Sequence, residues 1–222
     1  MVKRLNTILF SLLTIFNLIA QNTEYETNEI ESLNKTGYTL LTKKKFSNAL
    51  CFFNETIKKF PSSQYTYFLR GLTHYLLNNY AEAEKDFYKS INKFEISKYR
   101  SNDIKYLLLY IVQHKLEYES DIIIKLNKLK FDENFFIFPI VNLYLTGNNL
   151  DKILQKVNNM NNMMKTDFYY FIGIYFSLKN DHSLAQEYFK KCMDLKQDYF
   201  FTYLLSEAEL KKSINLTKHN FR

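Results

Sequence analysis

The chain has 222 residues and a formal net charge of +7; 46% of its residues are hydrophobic and 17% are aromatic. This composition suits one mostly helical unit with a sizeable core. Its four glycines are too few for most phosphate-binding or nucleophile loops. The basic residues are spread through segments such as 42–46 and 125–131, without the clustered stripe that a phosphate backbone requires, so we expect no nucleic-acid partner.

Residues 1–20 have the layout of a secretory signal peptide. A basic start at Lys3 and Arg4 precedes an apolar run that ends at the small residue Ala20, before a polar segment. Polar residues interrupt the run, which therefore fits a membrane span of about 20 residues poorly. Cleavage after Ala20 would lower the net charge to +5. An uncleaved anchor is the alternative, because Leu18 is larger than the residue usually found three before the cut.

The two cysteines, Cys51 and Cys192, lie 141 residues apart. The layout of residues 1–20 leads us to expect an exported protein, periplasmic or secreted. Because neither cysteine is near the cleavage site, we expect that it is not a lipoprotein. Contact with a membrane would occur only through an uncleaved signal segment. Both cysteines fall within apolar helical patterns, which favours two buried small side chains over a disulfide or a metal pair.

Three of the four glycines recur in phase. Gly37, Gly71 and Gly173 are separated by 34 and by 102 residues, which are one and three times 34. The same residue classes follow each glycine in the same order. Nine, twelve, sixteen and nineteen residues after the glycines lie, respectively, Phe46, Tyr80 and His182; Ala49, Ala83 and Ala185; Phe53, Phe87 and Phe189; and Thr56, Ser90 and Cys192.

This pattern resembles the tetratricopeptide repeat, and the resemblance is carried by segments 36–61, 70–91 and 172–193. It implies that each unit is a pair of antiparallel helices. The small residues would let the two helices approach closely, and the large aromatic residues would fill the gaps to the next unit. We expect each glycine to be the place where the second helix of its unit presses in with its alanine. The expected pairs are Gly37 with Ala49, Gly71 with Ala83, and Gly173 with Ala185.

The resemblance predicts an all-α solenoid of about five repeats, residues 30–214, closed by a C-terminal capping helix. Ser120 is the small residue of the third unit, and Val141 replaces the helix glycine of the fourth. Gly147 is expected in a turn and Pro139 near a helix start. The predicted boundaries are a signal peptide at 1–20, a leader at 21–29, units at about 30–62, 63–96, 101–132, 134–164 and 166–198, a cap at 199–214 and a frayed tail at 215–222.

The capping helix has a predicted apolar face that covers the last repeat. This face consists of Phe200, Tyr203, Leu204 and Leu210. Within the second unit, Arg70 and Asp86 stand on its first and second helix, where the repeat geometry could join them in an ion pair. We read that pair as structural.

No residues support an enzyme. The sequence lacks a glycine-rich phosphate loop, a paired-histidine zinc motif and a nucleophile elbow. The four histidines fall at packing or capping positions and do not form a site. We therefore predict no catalytic residue, no metal and no cofactor.

In tetratricopeptide repeats the first helix of each pair lines a concave face, which by resemblance would be an aromatic groove here. Aromatic side chains supply large contact area at low rotamer cost, so such a groove suits an apolar peptide. A clamp for a C-terminal carboxylate is not expected, because only Asn34 and Lys105 offer the required polar groups. The predicted groove residues are Tyr65, Phe68, Leu72, Tyr75, Phe135, Phe138, Tyr170 and Ile174.

Two functions remain open at this point. The first is an exported, non-enzymatic adaptor that binds a peptide or protein partner. The layout also resembles bacterial periplasmic repeat lipoproteins that act as adaptors between cell-wall hydrolases and a processing protease, although the lipid-acceptor cysteine is missing. The second is a structural subunit that associates with copies of itself or with an envelope complex through its convex face.

Overall fold

The computed structural model describes residues 23, 25–91, 100–117, 120, 122 and 138–219. The predicted signal peptide and the groove residue Phe135 lie outside these ranges, as does most of the second helix of the third unit. The described residues are helical and contain no strand. The helices are α1 (25–42), α2 (Phe46–Lys59), α3 (Gln64–Leu76), α4 (Tyr80–Ser90), α5 (Arg100–Lys115), α6 (Phe138–Thr146), α7 (Leu150–Asn158), α8 (Asn162–Leu178), α9 (His182–Asp194) and α10 (Phe201–His219).

Successive helices pack against each other along the chain, which confirms the all-α solenoid. α3 packs on both α2 and α4, and α4 packs on α5. At the other end α8 packs on α9, and α10 packs on both of these helices, as a capping helix should. None of the helices in the described ranges is long and apolar enough to cross a membrane.

The closest contact of the glycine in each regular unit is a phenylalanine, where the sequence predicts the alanine. A Cβ atom built on Gly71 would lie 2.8 Å from Cδ1 of Phe87, and one built on Gly173 would lie 2.6 Å from Cδ1 of Phe189. The ring sixteen residues after the glycine therefore fills the space that a side chain would need. Ala83 is fully buried, but it is not among the nearest atoms to Gly71.

The turn inside each regular unit has its own repeated feature, seven residues after the glycine. Lys44, Asn78 and Asn180 have φ angles of 59°, 62° and 59°, in the left-handed region. Asparagine tolerates this conformation better than most residues, so two of the three turns carry a fitting side chain. Gly147, with a φ of 71°, closes the predicted turn after α6 in the same way.

The predicted ion pair of the second unit is confirmed. Arg70 donates from Nε and Nη2 to the two carboxylate oxygens of Asp86, each over 2.7 Å. Its Nη1 donates to Oδ1 of Asn54 on α2, also over 2.7 Å. Because Asp86 is 2% exposed, this bidentate contact fixes the second helix pair and links it to the first.

Several boundaries and side chains differ from the prediction. Residues 25–29 of the predicted leader are the first turns of α1, where Glu29 pairs with Lys59 of α2. Ser120 lies outside a helix and donates to Oε1 of Gln113, so it is not a helix-packing residue. α10 continues to His219, past the predicted end at residue 214. Pro139 is the second residue of α6, where a missing N–H group is tolerated.

The two cysteines are free and differ in burial. Cys192 is fully buried in α9, and burial raises the pKa of its thiol to about 12. Cys51 is exposed, which corrects its predicted burial; it lies on α2 two residues before Phe53, on a side of the helix that faces away from the core.

Candidate functional site

An open cavity of about 540 Å³ lies where α1, α3 and α5 meet the start of α10. We call it the aromatic pocket, because most of its wall is made of tyrosine and phenylalanine. The first helices of three units therefore contribute to one concavity, as the repeat predicts. The residues that define the aromatic pocket are Tyr38, Tyr65, Phe68, Lys105, Tyr199 and Phe201.

The rings of the aromatic pocket pack on one another. Tyr65 stacks on Phe68 with ring centres 6.2 Å apart, and Phe68 meets Phe201 edge to face at 5.5 Å. Tyr65 and Tyr199 are 54% and 57% exposed. Two large aromatic surfaces thus remain open to solvent above a packed aromatic floor.

A lysine lies at the base of the pocket. Lys105 is 6% exposed, and its Nζ donates to the carbonyl oxygen of Ser90 over 2.8 Å. The same Nζ lies 5.9 Å from the centre of the Phe68 ring, within the range of a cation–π contact. The pocket therefore combines aromatic walls with one buried positive charge.

The pocket continues along α1 into a second cavity of about 420 Å³. Tyr38 and Tyr65 line both cavities, and Ile30 and Asn34 line only the second. Asn34 itself is 4% exposed and accepts a hydrogen bond from Thr66 over 2.8 Å. The amide oxygen of Asn34 and the ammonium group of Lys105 are therefore both engaged in hydrogen bonds within the chain.

The predicted groove residues fall into three groups. Tyr65 and Phe68 line the aromatic pocket. Phe138 lines a separate cavity of about 210 Å³ between α6 and α7. The remaining four described residues are at most 1% exposed and belong to the core, so their assignment to an open groove is wrong; they are Leu72, Tyr75, Tyr170 and Ile174.

The core position of two of these residues has a visible cause, since α10 crosses the concave face. Tyr75 on α3 donates its hydroxyl to Oε1 of Glu209 on α10 over 2.8 Å. Near the other end of the helix, the ring of Phe201 packs on Phe68. Tyr170 on α8 lies close enough to the Glu209 carboxylate to be influenced by its charge. The groove that the repeat predicts is thus partly filled by the chain itself.

Glu209 is the centre of a buried charge cluster between α10, α3 and α5. Its Oε2 accepts from Nζ of Lys115 over 3.0 Å, and its Oε1 accepts from Nζ of Lys212 over 3.2 Å. Both ammonium groups lie within 6 Å of the rings of Tyr75 and Tyr80. Lys212 also donates to the Tyr80 hydroxyl over 2.9 Å. One carboxylate thereby pairs with two cations beside two tyrosine rings, and the cluster keeps a net positive charge.

The cluster determines how its members ionise. Burial is the largest influence on the pKa of Glu209 and opposes ionisation. The charges of Lys115 and Lys212 and the hydrogen bonds from Lys115 and Tyr75 outweigh it, and they hold this pKa below its usual 4.5. Burial first, and the Glu209 charge second, raise the pKa of Tyr75 well above 10. Glu209 is therefore an anion and Tyr75 a neutral donor at neutral pH.

Two more contacts join α10 and the residues just before it to the first unit. The Tyr38 hydroxyl donates to the carbonyl oxygen of Tyr199 over 2.6 Å. Nζ of Lys44 lies 2.7 Å from Oε2 of Glu207. Together with the Glu209 cluster, these contacts connect the last helix to the first three units of the chain.

α10 is also packed differently from the prediction. Of its predicted apolar face only Leu204 is buried, whereas Phe200, Tyr203 and Leu210 keep part of their surface exposed. The helix buries residues on two sides because it contacts both the last repeat and α3. Its other buried residues are Thr202, Leu205, Ser206, Glu209 and Ser213. A glutamate within this set is the signal that sequence analysis missed.

No metal site is evident in the part of the chain that the structure describes, since no three His, Cys, Asp or Glu side chains converge there. Two of the histidines have packing contacts. His114 meets the ring of Tyr110 at 5.2 Å, and His74 is half-buried, with its pKa lowered first by that burial.

Part of the chain matches a known repeat family. The family described as "Tetratricopeptide repeat" matches residues 65–92 and 166–199. No curated protein sequence matches the chain. The crystal structure of YrrB, described as "a TPR protein with an unusual peptide-binding site", is similar over 82% of this chain and 97% of that chain, with 19% identity and a TM-score of 0.38. The family match covers the helix pairs α3–α4 and α8–α9.

Proposed function

We propose that this protein is an exported, non-enzymatic adaptor that binds an apolar segment of a peptide or protein partner in the aromatic pocket. The tetratricopeptide repeats support the general class, a protein–protein interaction module. Export rests on the layout of residues 1–20, with a basic start, an apolar run and a small residue before the expected cut.

The observation that carries the binding proposal is the pair of exposed tyrosines over the apolar floor. Tyr65 and Tyr199 each expose more than half of their surface at the mouth of the cavity. Tyrosine is enriched among residues that dominate binding energy, because its ring is large and rigid and its hydroxyl tolerates water. Phe68 and Phe201 behind them offer a surface on which an apolar side chain loses contact with water.

Capture from an envelope extract tests the proposal. Tagged wild-type protein and a Tyr65→Ala, Tyr199→Ala double variant are compared by mass spectrometry of the recovered proteins. We expect the double variant to lose partners that the wild type retains. Tyr25→Ala is the matched control, because Tyr25 is 69% exposed and does not line the pocket.

The outcomes separate binding from export. Equal partner recovery by the wild type and the double variant would contradict the pocket assignment. The intact mass of the recovered chain reports on export, since cleavage after Ala20 predicts a first residue of Gln21. A chain that retains residues 1–20 in the envelope fraction would instead indicate an uncleaved anchor. If the recovered partner is a cell-wall hydrolase or a protease, the resemblance to periplasmic adaptors would hold for the function as well as for the sequence.

A further inference from the structure

α10 presents a regular set of side chains to the concave face. Phe201, Leu205 and Glu209 follow one another at intervals of four residues, which places them on one side of the helix. Phe201 packs on Phe68 at the edge of the aromatic pocket, and Glu209 reaches the hydroxyl of Tyr75. Leu205, midway between them, is fully buried. The helix thus places an aromatic and an acidic residue against α3, with a buried aliphatic residue between them.

The charges on the two sides of this contact are opposite. The units that α10 crosses supply Lys44 and Lys115, and α10 supplies their partners Glu207 and Glu209. Lys115 and Glu209 have side chains that are 18% and 4% exposed, so their attraction is only weakly screened by salt. Without a carboxylate at this place, the groove would hold a largely buried lysine against two tyrosine rings.

We propose that this part of the concave face is a binding site for an acidic amphipathic helix of a partner protein, and that α10 is its built-in occupant. This inference rests on the proposed adaptor function and names the partner's chemistry. The partner helix carries an aromatic residue, an aliphatic residue four positions later and a carboxylate four positions after that. Its carboxylate takes the place of Glu209 beside Lys115 and Tyr75.

The arrangement makes binding competitive. α10 is joined to the last repeat by a short turn at residues 195–200, so its effective concentration at the groove is high, on the order of millimolar or more. A partner helix therefore gains access only when it outcompetes α10 or when the contacts of α10 are weakened. The aromatic pocket beside Phe201 stays open and offers a first contact to the incoming chain.

A peptide with the sequence of α10, residues 201–219, is the direct probe. It is labelled with fluorescein and titrated into the full-length chain, with fluorescence anisotropy as the readout. We expect a Glu209→Gln chain to bind the peptide at least about tenfold more tightly than the wild-type chain, because its own helix has lost the carboxylate. A peptide that itself carries Glu209→Gln should bind this loosened chain at least about tenfold more weakly than the unmodified peptide.

Two further chains control for folding and for charge. Glu187→Gln removes a carboxylate from an exposed pair with Lys191 on α9, and this chain should bind the peptide like the wild type. Phe201→Ala loosens the opposite end of α10 and leaves Glu209 in place, so it should also bind more tightly than the wild type. Circular dichroism checks that each chain retains its helices.

The proposal is overturned if the unmodified and the Glu209→Gln peptides bind the Glu209→Gln and Phe201→Ala chains with equal affinity. It is also overturned if neither chain shows saturable binding. Dimers of the Glu209→Gln chain in light scattering also overturn it, since α10 of a second copy would then be the occupant. The proposed function fails separately, if Tyr65→Ala and Tyr199→Ala leave partner capture unchanged. Peptide binding requires no natural partner and can succeed or fail independently of that result.

Discussion

The glycine of each regular repeat lies beneath an aromatic ring of its own unit. In the second unit the ring is Phe87, and in the last it is Phe189; both are fully buried. A buried ring that is packed on all sides cannot move aside cheaply for an added methyl group. The glycine is therefore a packing requirement at a place where the helix alone would favour alanine.

Gly71→Ala tests this contact, because helix propensity and packing predict opposite signs. Propensity favours alanine by about 0.5–1 kcal/mol. Overpacking against Phe87 costs about 1–3 kcal/mol. We expect the clash to prevail and the urea midpoint of unfolding to fall. Comparison of Glu55→Ala with Glu55→Gly, on the exposed side of α2, measures the propensity contribution alone. A midpoint for Gly71→Ala at or above that of the wild type would contradict the close approach of the Phe87 ring.

Sequence spacing located the residues of this contact but not their pairing. The phase of 34 residues predicts that Gly71, Ala83 and Phe87 are positions of the second unit that recur in the other regular units. Which of the last two lies over the glycine depends on how the second helix is rotated about its axis, and the spacing leaves that rotation undetermined. Ion pairing between Arg70 and Asp86 was predictable, because both positions follow from the same local geometry.

At the scale of the element, α10 serves as a cap and as the occupant of the groove. It covers α8 and α9 with one side and brings Glu209 to Tyr75 and Lys115 with another. The apolar face that the sequence predicts for α10 explains only its role as a cap on the last repeat. The second role depends on a buried charge, and a glutamate on a helix is usually a solvated residue.

The pH dependence of stability should reveal this charge. Because the pKa of Glu209 is lower in the folded state than its usual 4.5, its contribution to stability is complete above that pH and is lost as pH falls through the folded-state value. Removing one partner of a buried ion pair costs about 3–5 kcal/mol. We expect Glu209→Gln to lower the free energy of unfolding by about 3 kcal/mol at pH 7, near the lower end of that range, since Lys212 keeps contact with solvent.

Urea unfolding of the wild type and Glu209→Gln at several pH values checks this expectation. The difference between the two proteins should be constant above pH 5 and shrink below about pH 4.5, as the wild-type carboxyl group becomes protonated. A difference that does not change with pH would show that Glu209 contributes through packing and not through its charge.

At the scale of the whole molecule, the curvature of the solenoid brings the last helix to the first ones. Tyr75 and Glu209 are 134 residues apart in the chain, and Lys44 and Glu207 are 163 apart. The rotation from one unit to the next is small, and it accumulates over all the units, including degenerate ones. Local patterns predicted the helix pairs and the aromatic character of the concave face. They do not predict that α10 reaches this face, and for that reason Tyr75 and Tyr170 lie in the core and not on an open surface.

Zero-length cross-linking tests most directly whether α10 lies on the concave face. A carbodiimide joins an ammonium and a carboxylate in contact as an amide, with loss of water, and Nζ of Lys44 lies 2.7 Å from Glu207 with half of its side chain exposed. Mass spectrometry of the digested monomer should find Lys44 joined to Glu207, alongside the local Lys191–Glu187 pair that serves as internal control. A monomer that contains the Lys191–Glu187 amide but not the Lys44–Glu207 amide would contradict the placement of α10 across the groove.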